Sequence, residues 1–422
     1  MALEDLKKLE ITSNQLAEEF VEMFQNSLTR SDQLFKEIYD KSRTIHVATR
    51  SCESVTPKVF RIGFDIHLTD PGTQESPHYF LKVQDKESFE SEYATVYHAT
   101  NIGKKIYRRM PGPRIERELQ IFPILKSKGF FPFRKRNWLL FHPLKGATIY
   151  AEMFRNPLVQ EKLDESKKYS LHNLHTALDP ILLLHEIYNA HLAKQFAYTE
   201  KLPSLTKEKE REKEPVFISP LITINEYIEK ILGHFEKTKI ITDKEAFERP
   251  LRELVKTYLT NPALEAIVHN RCTPEHNNTF SLLSARTTAR GSRALDIGAL
   301  FGYPFIYRKI IDLEDTIHSL IENYMWKRGE LRSDVDPALT RYINKNEISQ
   351  ELLENATYFS AAYINWGYAA EFVDEAEKTQ NLQEKKKLEE KAKEHINVSL
   401  SQLEILAQRD YAASALTKTL KK

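Results

Sequence analysis

Glycine is scarce in this sequence, and the scarcity limits which phosphate-binding folds the chain can form. Only 12 of the 422 residues are glycine, whereas the usual abundance predicts roughly 30 in a chain of this length. No GxGxxG and no GxxxxGKS or GxxxxGKT motif occurs. Both kinds of motif need several glycines for close approach of the backbone to phosphate. The sequence therefore argues against a dinucleotide-binding turn and a Walker-type loop.

Charge and cysteine content argue against further classes of protein. The chain has 61 Lys and Arg residues against 60 Asp and Glu, so no overall charge draws it to nucleic acid or membrane. Two cysteines, Cys52 and Cys272, are too few for a disulfide framework. The charged N-terminus lacks a signal peptide's apolar segment, and no apolar run approaches about 18 residues. We expect a cytoplasmic protein with no membrane partner and no disulfides.

Hydrophobic periodicity predicts a small β-rich part followed by a large helical part. Apolar residues alternate with polar ones over 60–68, which predicts a half-buried strand, and a second strand follows over 78–84. A helix is predicted over about 86–102, and helical patterns dominate from about 147 onward. We predict four regions: an N-terminal helical extension over 1–45, an antiparallel sheet with one helix over 46–145, a helical lobe over 146–335, and a C-terminal helical extension over 336–422.

The order of several short motifs points to a chemistry that no single motif specifies. The strand FLKV (80–83) precedes a helix that carries Glu92, and VHNRCTPEHN (268–277) and LDIG (295–298) follow far downstream. In this order the chain resembles, over 46–320, the aminoglycoside-phosphotransferase and choline-kinase branch of the protein-kinase-like fold. The resemblance implies an α+β fold of two lobes, a small β-rich N-lobe and a large helical C-lobe.

The resemblance also implies a site for ATP and Mg²⁺. Lys82 matches the strand lysine that holds phosphates, and Glu92 matches the helix glutamate that orients it through a charge-assisted bond. Asp296, which we place at the end of a short strand over 293–296, matches the metal-binding aspartate, and Asn277 matches the second metal ligand. The plainer interpretations are an edge-strand lysine, a solvated helix carboxylate, a turn-capping aspartate and a polar loop.

The loop that resembles the family's catalytic loop lacks the aspartate that acts as general base. Arg271 lies two residues after His269, where the family has its catalytic aspartate. A guanidinium cannot accept the proton of a substrate hydroxyl, because its pKa exceeds about 12. Glu275 can replace the base only if the loop is remodelled. His276 takes the place of Asn277 if no residue is inserted.

The segment that would cover the phosphates departs as well. Residues 48–58 contain no glycine, so a phosphate cradle there would have to use backbone amides beside Ser51, Ser54 and Thr56. The family's aspartate after Gly-x-Pro is also missing, since Tyr307 stands near its expected place.

Three other features of the sequence allow more than one interpretation. Residues 104–138 contain eleven Lys and Arg against two glutamates, with interleaved aromatics. This pattern suits a solvated loop, or contacts with RNA or another polyanion. Cys272 suggests either a nucleophile or a small buried thiol, but no orienting third group is visible. His185 begins a motif like HExxH, but the next histidine, His191, is six residues on and faces elsewhere on a helix.

The sequence therefore predicts a nucleotide-binding, phosphotransferase-like protein with weakened or lost catalysis, because Arg271 replaces the catalytic aspartate. The alternative is a scaffold or a protein that binds RNA or another polyanion on the same fold, through residues 104–138. A third possibility is an active small-molecule kinase that uses Glu275 as its base.

Overall fold

A computed structural model describes the chain over 44–56, 58–68, 74–75, 78–90, 92–93, 95–97, 122–123, 125–131, 135–141, 174–188, 222–240, 245–270, 272, 277–278, 281–282, 288–301, 313–334 and 347–420. The expected N-terminal helical extension lies outside these residues, apart from Thr44 and Ile45. The chain forms two compact units. The described part of the first ends at 141, and that of the second begins at 174.

The first unit is built on an antiparallel sheet. Its main path runs β1-β2-β4-β6-β5, and the short β3 pairs with β2. The middle strand of that path is therefore β4. The strands are β1 (Thr44–Thr56), β2 (Val59–Leu68), β3 (Gln74–Glu75), β4 (His78–Gln84), β5 (Leu125–Phe131) and β6 (Arg136–Phe141).

The predicted strands over 60–68 and 78–84 are confirmed as β2 and β4. Alternate side chains of a strand point to opposite faces of the sheet, and Ile62, Leu81 and Leu139 are completely buried. The close pairing of β5 with β6 depends on Gly129. A Cβ at this position would lie within 3 Å of the Trp138 ring, so the ring occupies the space that a side chain would need.

A helix, α1, follows the middle strand directly. It is described over 86–97, apart from residues 91 and 94. Asp85 caps its start, because the Asp85 carboxylate accepts a 2.8 Å hydrogen bond from the Ser88 backbone N–H. This bond holds the pKa of Asp85 below its usual value. The cap fixes where α1 begins and so which of its residues face the sheet.

The second unit is mainly helical, and its described residues include two short antiparallel strand pairs, β7 with β10 and β8 with β9. Helix α2 runs over 174–182 and continues as a π-helical turn at Leu183–Tyr188. Helix α4 continues in the same way at Val255–Leu259. The remaining elements are α3 (Ile224–Lys237), α4 (Glu245–Leu254), β7 (Glu265–Val268), β8 (Asn277–Asn278), β9 (Ser281–Leu282), β10 (Ala289–Ser292), α5 (Arg293–Phe301), α6 (Leu313–Asp334), α7 (Gln350–Lys378), α8 (Leu382–Ala407) and α9 (Tyr411–Leu420).

The short strand predicted over 293–296 is wrong. The strand ends earlier, because β10 pairs antiparallel with β7 over Ala289–Ser292, and Arg293 then begins α5. Residues 293–300 are all buried. A fully buried helix and a buried strand both appear in sequence as an apolar run, so periodicity cannot separate them. Asp296 therefore lies in the first turn of a helix.

The C-terminal helices belong to the core of the second unit. Helices α5 and α7 pack closely at Gly298 of α5. A Cβ at this position would lie 2.8 Å from the backbone nitrogen of Ala361 and 3.0 Å from Cβ of Ser360 on α7. Helix α8 returns along α7, and α9 packs on α8. No helix in the described part of the chain is long and apolar enough to cross a membrane. The α+β class predicted from the sequence is confirmed.

Candidate functional site

In the first unit, the structure brings Lys82 and Glu92 together. Lys82 Nζ lies 2.6 Å from Oε2 and 2.8 Å from Oε1 of Glu92. The Glu92 side chain is 3% exposed and that of Lys82 is 17% exposed. Because β4 is the middle strand, Lys82 is not an edge-strand lysine. Because its side chain is buried, Glu92 is not a solvated carboxylate. Both plainer interpretations are therefore wrong for this pair.

Residues 48–56 of the segment 48–58 belong to β1, which pairs antiparallel with β2. Ser51 is opposite Gly63 and Ser54 is opposite Phe60. The register shifts between Thr49 and Ser51 and again between Ser54 and Thr56, and such irregularities interrupt the backbone ladder. The serine side chains lie outside the described residues, so their nucleotide-binding role stays a prediction.

In the second unit, Asp296 is completely buried and holds the turn that follows β7. Its Oδ2 accepts hydrogen bonds from the His269 backbone N–H at 2.7 Å and lies 3.0 Å from Nε2 of His185. Its Oδ1 accepts a 2.8 Å bond from the Asn270 backbone N–H. Asn270 has a φ of 62°, in the left-handed region that asparagine adopts more readily than other non-glycine residues. The carboxylate thus stabilises this turn through two successive backbone amides.

His185 connects this carboxylate to helix α6. Its Nδ1 lies 2.9 Å from the hydroxyl of Tyr324, and burial holds the pKa of His185 below its ordinary value. A neutral imidazole has one donor and one acceptor nitrogen. Because Nε2 faces a carboxylate, we assign the proton to Nε2, and Nδ1 then accepts from Tyr324. Burial also raises the pKa of Tyr324, which keeps its hydroxyl proton available for this bond.

A buried ionic cluster adjoins this chain of hydrogen bonds. Glu186 Oε1 pairs with Nη1 of Arg293 and lies 2.9 Å from Nε of Arg328. All three side chains are at most 1% exposed. Together with Asp296, the cluster contains two carboxylates and two guanidiniums, so its formal charge is balanced. Balance matters because an unpaired charge at such a position would be very costly.

One group of potential metal ligands occurs in the described part of the chain. It consists of His269, Cys272 and Asp296, whose ligand atoms lie within 4.8 Å of one another, and all three residues are buried. Magnesium prefers oxygen ligands in octahedral geometry. This group offers one nitrogen, one sulfur and a carboxylate that already accepts three hydrogen bonds. These donors do not fit Mg²⁺, so we assign no step to that ion.

Several predicted residues cannot be placed. Arg271, Glu275 and His276 lie outside the described residues. Asn277 is placed only by its backbone, in β8. The roles predicted for these positions, including Asn277 as a metal ligand, therefore stay predictions.

Little of the basic segment 104–138 is described. Within it, Lys128 Nζ lies 3.6 Å from the centre of the Tyr93 ring on α1, a cation–π contact inside the first unit. Nothing in the described residues favours RNA binding, which stays a prediction.

Sequence reasoning missed the residues that surround Asp296. His185 and Glu186 were noticed only for their likeness to a zinc motif, and Tyr324, Arg293 and Arg328 were not noticed at all. Their common signal is polar side chains within otherwise apolar helical stretches, such as LLLHEIY (182–188). That signal marks buried polar groups that need partners, but it does not identify the partners.

Comparison with known proteins gives matches in structure alone. No protein-family model matches the chain, and no curated protein sequence matches it. An ethanolamine kinase of Plasmodium vivax is 12% identical with a TM-score of 0.42, and the match covers 83% of this chain and 81% of that one. A variant of aminoglycoside 2'-phosphotransferase-IIIa in complex with GDP is 10% identical with a TM-score of 0.39, covering 90% and 97%. An aminoglycoside-3'-phosphotransferase of type VIII is 13% identical with a TM-score of 0.30, covering 77% and 98%.

Proposed function

We propose that this chain is a nucleotide-binding protein of the phosphotransferase type, whose catalysis is weakened or lost because Arg271 replaces a general base. The observation that carries the proposal is the contact of both Glu92 oxygens with the ammonium of Lys82, at 2.6 and 2.8 Å.

The burial of the Lys82–Glu92 pair favours a binding role over a purely stabilising one. Surface ion pairs contribute little to stability, and burying two charges costs more than packing apolar groups of similar size. An ammonium has three N–H donors. Glu92 holds the Lys82 ammonium at two oxygens, while the 17% exposure of the Lys82 side chain leaves it within reach of a ligand. This arrangement suits a cation that is oriented to receive an anion.

Phosphoryl transfer depends mainly on positioning and on neutralising phosphate charge. In the proposed role, Lys82 binds phosphate oxygens of the nucleotide, and Glu92 fixes the direction of its ammonium. Asp296 acts by fixing the backbone at 269–270, immediately before Arg271. Because Arg271 is permanently charged, it can bind phosphate or acceptor oxygens but cannot remove a proton. The charge of Arg271 therefore supports nucleotide binding with little catalytic turnover.

Calorimetry with ATP and GTP at millimolar concentration tests nucleotide binding. We expect Lys82→Met to weaken binding by about 10- to 100-fold, which corresponds to the loss of a charged hydrogen bond. The matched control is Lys86→Met, since Lys86 is on α1 with an 83% exposed side chain, and its affinity should equal that of the wild type.

A second pair of variants separates folding from binding. Glu92→Gln should weaken binding, whereas Glu90→Gln, at a half-exposed position of the same helix, should not. The double variant Lys82→Met/Glu92→Gln leaves no charge at either position of the pair, and its far-ultraviolet circular dichroism shows whether the variant has folded. Wild-type protein that binds neither nucleotide would overturn the proposal.

Turnover tests the role given to Arg271. The Arg271→Asp variant restores a carboxylate two residues after His269, and positioned general bases contribute about 10²- to 10⁴-fold. We expect this variant to hydrolyse ATP faster than the wild type, with water as acceptor. Equal or slower hydrolysis by a folded variant, together with rapid turnover by the wild type that Glu275→Gln abolishes, would instead favour an active kinase with Glu275 as base.

A further inference from the structure

Three side chains with different donor atoms meet where β7 ends. His269 follows the last residue of β7, Cys272 comes three residues later, and Asp296 comes from the first turn of α5. Their ligand atoms lie within 4.8 Å of one another, and all three side chains are buried. We propose that this group binds a transition-metal ion, with Zn²⁺ the best match. The proposal is independent of nucleotide binding.

The backbone explains why the three residues converge. Strand β7 pairs with β10, which leads directly into α5, so the end of β7 and the first turn of α5 are neighbours. The left-handed conformation of Asn270 turns the chain after His269, and Cys272 returns to a completely buried position. Asp296 holds this turn through two backbone amides. The ligands are therefore placed by hydrogen bonds that form without the ion.

The separation of the donor atoms suits a tetrahedral ion after a small adjustment. Zinc bonds of about 2.0 Å to nitrogen or oxygen and 2.3 Å to sulfur place neighbouring ligand atoms about 3.3–3.8 Å apart. The group, within 4.8 Å, closes to that geometry by movements of about 1 Å. Three protein ligands and one further position are typical of zinc sites that keep an open coordination place.

The chemistry of the donors selects among metals. Imidazole nitrogen and thiolate sulfur suit Zn²⁺ and Co²⁺, whereas Mg²⁺ and Ca²⁺ require oxygen donors. On binding, the Cys272 thiol releases its proton to solvent and binds as thiolate. Thiolate and carboxylate then neutralise the divalent ion. Asp296 Oδ1 accepts one hydrogen bond in the described structure, and a carboxylate oxygen has two lone pairs, so Oδ1 can ligate without losing the turn.

Groups behind the ligands hold them in place. His185 contacts Oδ2 of Asp296, and Tyr324 contacts the other nitrogen of His185. Such outer contacts orient metal ligands and are common features of metal sites. The adjacent Glu186, Arg293 and Arg328 balance the charge of Asp296 without the ion. Binding adds the two charges of the ion and removes one proton from Cys272, so the formal charge of this buried region rises by one.

The test uses the full-length protein stripped with a chelator and then titrated with Co²⁺. We expect one equivalent to bind and to give a thiolate-to-cobalt charge-transfer band together with the visible bands of tetrahedral Co²⁺. Zn²⁺ should abolish these bands, and millimolar Mg²⁺ should leave them unchanged. Cys272→Ala should remove the charge-transfer band, while Cys52→Ala, which removes the chain's other cysteine, should retain it.

A second measurement needs no variant. X-ray absorption at the zinc edge of the stoichiometric wild-type complex should show one sulfur ligand among nitrogen and oxygen ligands. The proposal is overturned by weak or substoichiometric binding, by a zinc shell without sulfur, or by a charge-transfer band that persists in Cys272→Ala.

Discussion

The carboxylate of Asp296 accepts a 2.8 Å hydrogen bond from the backbone N–H of Asn270, which lies 26 residues earlier in the chain. The same carboxylate accepts a bond from the neighbouring amide of His269. One buried side chain in α5 thus determines the path of the backbone immediately before Arg271. This contact assigns Asp296 a positioning function that does not require a metal ion.

Replacing this carboxylate by an amide tests the positioning function. Asp296→Asn keeps the shape but presents an NH₂ group to some of the donors, and each buried group left unsatisfied costs about 1–3 kcal/mol. We expect the free energy of unfolding in urea to fall by at least about 2 kcal/mol. The exposed control, Glu253→Gln on α4, should change it by less than about 0.5 kcal/mol. An Asp296→Asn protein as stable as the wild type would contradict the positioning function.

Alanine substitutions at two helical glycines, Gly298 in the close packing of α5 against α7 and Gly329 on α6, should affect stability differently. A Cβ at Gly298 would lie 2.8 Å from the backbone nitrogen of Ala361, and overpacking of this kind costs about 1–3 kcal/mol. A Cβ at Gly329 of α6 would meet nothing within 4 Å, and alanine is favoured over glycine in helices by up to about 1 kcal/mol. Thermal unfolding should show a lower melting temperature for Gly298→Ala and an unchanged or higher one for Gly329→Ala.

The buried pair in the first unit predicts strong coupling between its members. Lys82→Met or Glu92→Gln alone leaves its partner without compensation, which costs about 3–5 kcal/mol when a buried pair is broken. The double variant should lose less than the sum, giving a coupling energy of at least about 1.5 kcal/mol in urea unfolding. The same cycle on the exposed pair Lys86 and Glu90, whose charged atoms are 3.8 Å apart, should give about 0.5 kcal/mol or less.

His395 predicts how stability depends on pH. Burial, helped by the nearby Lys391, lowers the pKa of His395 to about 4 from 6.5. In the unfolded chain this histidine takes up a proton near pH 6.5, whereas in the folded chain it stays neutral until about pH 4. The stability that the neutral His395 contributes is therefore complete above pH 6.5. As the pH falls toward 4, the free energy of unfolding decreases by about 3 kcal/mol in total.

A substitution separates this histidine from the other titrating groups. The difference in unfolding free energy between the wild type and His395→Gln, measured from pH 7 to pH 4, should change by about 3 kcal/mol over that range. A difference for His395→Gln that does not vary with pH would show that burial does not hold this imidazole neutral.

What could be predicted from the sequence was mostly local. Lys82 and Glu92 are ten residues apart, in a strand and in the helix that follows. The resemblance of this local order to the kinase-like family assigned them to one candidate site. The alternation around Phe60 predicted its strand, because a period of two reflects a sheet with one buried face. Both predictions needed only neighbouring residues.

What could not be predicted depends on contacts between distant elements. His185 is 111 residues from Asp296 and 139 from Tyr324, and no periodicity in either segment encodes that meeting. Asp296 itself was assigned to a strand, because the buried run around it has no polar face to give a helical period. Gly298 is one of only 12 glycines in the chain, but the contact that requires a glycine there is with the backbone of α7, about 60 residues downstream.

Covalent labelling with an acyl phosphate of ATP tests the central claim, that the Lys82 ammonium binds the phosphates of a nucleotide. Such a reagent transfers its acyl group to a lysine amine held beside the phosphate chain, and peptide mass spectrometry identifies the modified residue. The account predicts that Lys82 is acylated, that excess ATP suppresses this labelling, and that any labelling of the exposed Lys86 is insensitive to ATP. Unmodified Lys82, or acylation of Lys82 that excess ATP does not reduce, would contradict the account.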